Sequence, residues 1–140
     1  MEEEQIIHAV AEQMHVDKER SQKIISAVFH ELHDRLTPKE AAHAAAQMPS
    51  GLKRMWTSYE FPGRQVRRLH KSEFTREVAQ RAEIPEDEAA HALTVVFRVL
   101  QELLQSPTGQ EGEAWDIFSQ LPKDLKQVWI SAARPQPRQS

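Results

Sequence analysis

Hydrophobic positions recur along this chain every three to four residues, the spacing of one face of a helix. Ile6, Ile7, Val10 and Met14 define a first apolar stripe, and Ile25, Val28, Phe29, Leu32 and Leu36 a second. Asp17 stands where an N-cap for the second stripe is needed. Thr37-Pro38-Lys39-Glu40 combines a capping threonine, a proline at the first helical position and a glutamate that completes a capping box, so a third helix starts there. Pro49 opens a fourth, with Leu52, Met55 and Trp56 on its inner face.

The same plan returns later in the chain. Val10-Ala11, Val28-Phe29, Leu32 and Leu36 meet Val78-Ala79, Val96-Phe97, Leu100 and Leu104 at an offset of 68, and Leu52-Lys53 and Trp56 meet Leu125-Lys126 and Trp129 at an offset of 73. The extra residues fall near Ser106 to Gly112, a Pro/Gly-containing stretch that reads as a loop. Such internal periodicity predicts two copies of one supersecondary unit. In the second copy Ser72 is the expected cap of a helix bearing Phe74, Val78 and Ala82. A helix from about Glu86 follows, then one carrying Ala114, Ile117, Phe118 and Leu121, and a last one opened by Pro122.

The expected fold is all-α: a helical bundle of about eight helices from two tandem four-helix units. Residues 1–132 form a single domain, with unit one over about 3–60, a connector over about 61–71 and unit two over about 72–132; residues 133–140 are expected to be a disordered tail. Ala41 to Ala46 aligns with a segment holding Trp115, Ile117 and Phe118. The small side chains of one unit either receive large ones from the other or border a ligand-sized groove.

Composition narrows the chemistry. The 140 residues include no cysteine, which excludes thiol catalysis and cysteine-ligated metal clusters. Net charge is −3, so no global basic balance points to nucleic acid. There is no run of about 18 apolar residues, and the start is acidic where a secretory signal is basic; the expected location is the cytoplasm.

Phe74…Val78-Ala79, the Ala-rich helix ending in Val96-Phe97-x-x-Leu100, and Gln120-Leu121-Pro122…Leu125…Trp129 resemble the bacterial domain-of-unknown-function family numbered 2267 over about residues 4–131. Unit one departs from the pattern, with Met48 for the leucine and Ile6 or Ile7 for the phenylalanine. The resemblance implies a compact helical bundle in a bacterial cytoplasm and carries over no activity and no catalytic residue.

Three Glu-x-x-His pairs, Glu12/His15, Glu40/His43 and Glu88/His91, have the spacing used by metal-binding bundles. Their helical phase points them away from the apolar faces, so they read as surface pairs. His30 and His33 lie one turn apart but off the apolar face, with no evident third ligand. The carboxylates fall on polar faces, where perturbed pKa values are not expected. No glycine-rich phosphate loop and no nucleophile elbow is present. The connector holds Arg64, Arg67, Arg68 and Lys71 without an acid, a strip suited to a phosphate or an acidic partner helix; its rival role is to pair with Glu83, Glu86 or Asp87 and pin the units together. The expectation is a non-catalytic interaction or ligand-binding module for an unidentified protein partner, compatible with a homo-oligomer. No cofactor, metal, nucleic-acid or membrane partner is expected. The alternatives are a metal-binding or enzymatic bundle using surface His/Glu pairs, or weak phosphate or nucleic-acid binding through the basic connector.

Overall fold

The computed structural model describes residues 2–67, 71–104 and 123–133, together with Ser119 and Leu121. Among the described residues there are seven helices and no strand: α1 (Glu2–Met14), α2 (Lys18–Arg35), α3 (Pro38–Ala46), α4 (Ser50–Thr57), α5 (Lys71–Ala82), α6 (Glu86–Leu103) and α7 (Lys123–Ala132). The protein is an all-helical bundle. The helix expected around Ala114 to Leu121, the Pro122 start signal and the tail from residue 134 lie outside the described residues. None of the described helices is long and apolar enough to cross a membrane.

Local chemistry sets the helix boundaries. The Asp17 carboxylate accepts from Arg20 N at 2.8 Å and caps α2. Thr37 and Glu40 exchange both bonds of a capping box at the start of α3. Ser72 is not the cap of α5: the helix already runs from Lys71, and the Ser72 hydroxyl meets Glu73. Two helix ends share a less common device. His15 and Glu83 take positive φ, 57° and 58°, a left-handed turn that L-residues adopt at a cost. It lets Val16 N reach Ala11 O, and Ile84 N reach Ala79 O, each at 3.0 Å. These are the 6→1 bonds of a Schellman-type stop, which satisfies carbonyls the helix leaves over.

One hydrophobic cluster draws on all seven helices, from Ile6 and Val10 through Phe29, Leu32, Phe74, Val96 and Phe97 to Trp129. Trp56 and Trp129 anchor it, each set edge-on to a phenylalanine: Phe29–Trp56 centroids are 5.3 Å apart and Phe97–Trp129 centroids 5.2 Å. Trp56 also donates its indole N–H to Ala41 O at 3.0 Å, tying α4 to the buried alanine face of α3. Helix α2 packs against α1, α5 and α6. With neighbours on several sides, it has little circumference left for solvent.

Candidate functional site

The C-terminal half of α2 runs His30-Glu31-Leu32-His33-Asp34-Arg35, and Glu31, His33, Asp34 and Arg35 are all buried. An apolar stripe on one side of a helix predicts solvent on the other; here α5 covers that other side and brings charge of its own. Arg35 Nη1 donates to Glu31 Oε1 at 3.0 Å, and Arg81 Nε of α5 donates to Glu31 Oε2 at 2.5 Å. The Arg35 guanidinium lies 4.6 Å from the centroid of the Phe74 ring, a cation–π contact that partly answers for its Nε and Nη2, which have no acceptor. Arg67 Nη2 donates to Glu77 Oε1 at 2.7 Å, and its Nη1 lies 3.7 Å from Asp34 Oδ2. Three guanidinium groups thus face three carboxylates along the seam between α2 and α5.

Burial pushes the Glu31 carboxyl up to about 7, and the hydrogen bond it shares with Glu77 adds to the rise; Arg81 and Arg35 offset only part of it. That shared bond and Arg67 hold Glu77 down to about 2. Below neutrality the pair therefore carries one proton between two carboxyl groups. The expectation that no carboxylate here is perturbed is overturned, because α5 closes over a face that periodicity assigns to solvent.

The histidines divide. His33 is fully buried: its Nδ1 lies 3.1 Å from Phe29 O and its ring 4.1 Å from that of Trp56. Burial lowers its pKa and so favours the neutral ring; with Nδ1 at Phe29 O, Nε2 is left without a partner. His30 is half-buried; desolvation first, then Arg81, lower its pKa. His30, Glu31 and Asp34 can each bring a ligand atom within 4.8 Å of the others, so a third potential ligand does exist. A cation there would have to compete with Arg35, Arg67 and Arg81, which already neutralise both carboxylates.

The connector residues are spread over different roles. Arg64 is buried; it donates to the carbonyls of His33 and Leu36 and grips Glu60 with Nε and Nη2, both at 2.9 Å. It thereby closes the C-terminus of α2, where a cation is favoured. Arg67 belongs to the α2–α5 seam, and its backbone N–H also donates to Asp34 O at 2.6 Å. Lys71 opens α5, and Arg68 lies outside the described residues. Of the acids expected as alternative partners, Glu83 pairs with Lys23, and Glu86 lies 3.9 Å from Arg76. His15, His43 and His91, the histidines of the three Glu-x-x-His pairs, are exposed.

Beside the seam lies a cavity of about 350 Å³, lined by Lys23, Ser26, Ala27, His30 and Arg81. Sequence periodicity missed Glu31, Asp34, Arg35, Glu77 and Arg81 as a group. The available signal was the i, i+4 pairing of Glu31 with Arg35 on α2.

Residues 3–128 match the family model described as "Uncharacterized conserved protein (DUF2267)". The chain belongs to the DUF2267 family. No curated protein matches it. For this DUF2267 chain the family assignment names no activity, so chemistry has to be argued from the seam and its cavity.

Proposed function

We propose that this DUF2267 chain is a non-catalytic helical module that binds a ligand or a protein partner, built from two tandem four-helix units. The observation that carries the reading is the self-neutralised seam: Glu31, whose carboxyl burial pushes upward, is fully buried and held by Arg35 and Arg81. A general acid or base has to reach its substrate within hydrogen-bond distance, and Glu31 is walled off from one. The tandem arrangement is supported by the matching left-handed stops at His15 and Glu83 and the matching Phe–Trp pairs.

The test sets this module against a metal protein. The full chain is purified without chelator, its metal content is measured, and it is melted with zinc and with manganese beside Asp34→Asn. The expected result is substoichiometric metal and an unchanged Tm. A stoichiometric metal, or a rise in Tm that Asp34→Asn abolishes, overturns the proposal, since a ligand that binds only the folded state must raise stability.

A further inference from the structure

We propose that the cavity between α2 and α5 is a binding site for a small oxyanion of the phosphate monoester class. The inference deepens the ligand-binding side of the reading above and rests on it. Lys23, Ser26, Ala27 and His30 follow one another at i, i+3, i+4 and i+7, so they form one continuous stripe on α2. Arg81 completes the wall from α5. Among the described residues no carboxylate lines this space. Its polar walls are an ammonium, a guanidinium, an imidazole and a hydroxyl, a set rich in donors and suited to an anion.

Arg81 is the organising group. Its Nε is bonded to the fully buried Glu31, which restrains the guanidinium at the wall of the cavity it lines. A planar fork held in this way matches two oxygens of a phosphate. Lys23 is paired with Glu83 at 2.9 Å, but both side chains are more than half exposed. A surface pair of that kind exchanges partners readily. The nearby acids Glu31, Asp34 and Glu77 are already matched by Arg35, Arg67 and Arg81. They fix the position of Arg81, and Lys23 is the cation that an anion can recruit from its exposed pair with Glu83. Ala27 gives a floor without bulk, and about 350 Å³ holds a phosphate with a small organic body attached.

The experiment titrates the full chain with inorganic phosphate, glycerol phosphate and acetate at constant ionic strength. It is followed by the amide signals of α2 and the Nε–H signal of Arg81. Saturable shifts are expected at Ser26, Ala27, His30 and Arg81, with both phosphates binding more tightly than acetate. Lys23→Gln should weaken phosphate binding about tenfold, as loss of a charge-assisted contact does, and Ser26→Ala about fivefold. Both variants leave the Glu31–Arg81 bond in place, so they report on binding while the fold is kept; Lys53→Gln, on exposed α4 surface, should change nothing. The proposal is overturned by shifts that never saturate, by shifts spread over exposed lysines, or by affinity that neither Lys23→Gln nor Ser26→Ala alters. Binding to phosphatidic acid vesicles without binding of either free phosphate also overturns it. A negative outcome in any of these leaves the metal and melting test of the module reading untouched, so the two failures are distinguishable.

Discussion

Helices α2 and α6 are each 18 residues long and set a phenylalanine against a tryptophan in the same edge-on way. Where α2 buries Glu31, α6 buries Val99, and the charged Arg35 corresponds to the aliphatic Leu103. His33 lies on the Trp56 ring, whereas Gln101 donates its side-chain amide to the backbone of Trp129 at 2.6 Å. One framework of anchors therefore tolerates two ways of filling the space beside them. Aliphatic burial is non-directional, and any close fit serves. A buried ionic seam has to meet its partners in one register, because an unmatched charge in that place is costly.

The comparison is broken most severely at the anchors. Trp56→Ala and Trp129→Ala should each cost about 3–5 kcal/mol in urea unfolding, with Trp56 at the upper end because Ala41 O also loses its donor. A cost below about 1 kcal/mol at either would deny that tryptophan its place in the core. Next comes the seam itself. Arg35→Met should cost about 3 kcal/mol, since Glu31 keeps only Arg81. The double change Glu31→Leu with Arg35→Met, which makes α2 resemble α6, should recover most of that loss. If the double variant is less stable than the single one, the two helices do not fill equivalent space.

A smaller effect distinguishes the two helices by pH. The folded Glu31 keeps its proton up to about 7 against an ordinary value of 4.5, so its contribution to stability falls as pH rises through that window. His30 and His33 have lowered values, which makes their contribution rise with pH up to 6.5. Subtracting the profile of Glu31→Gln isolates the carboxyl. The stability of wild type minus that of the variant should decline as pH rises from 4.5 to about 7. A flat difference would mean that Glu31 titrates normally. Smallest of all, Lys23→Gln should leave Tm unchanged, because its partner Glu83 is an exposed surface group.

The framework was legible where local chemistry decides it. Asp17 and Thr37 mark helix starts in the sequence because a cap is a contact between near neighbours, and Pro49 marks one through its fixed φ of −60° without a side-chain cap. The buried faces of α1 and α2 follow from the spacing of Ile6, Val10, Ile25 and Phe29. The seam was not legible. Glu31, Asp34 and Arg35 occupy a side of α2 that periodicity gives to water, and the docking of α5 removes that water; His33, on another side, is covered by Trp56 of α4. Arg64 illustrates the same limit: within a charged connector it reads as a solvated residue, yet its partners lie about thirty residues earlier in the chain.

The docked Arg64 also governs how the connector meets a protease. Trypsin has to draw an arginine side chain into a deep acidic pocket before it cuts, and this guanidinium is already bound to two carbonyls and a carboxylate. Cleavage after Arg64 requires the end of α2 to be uncapped first, whereas Arg67, three residues later and half-exposed, has only to exchange its contacts with Glu77 and Asp34. The order in which these two bonds are cut therefore serves as a clock for the release of the connector from α2.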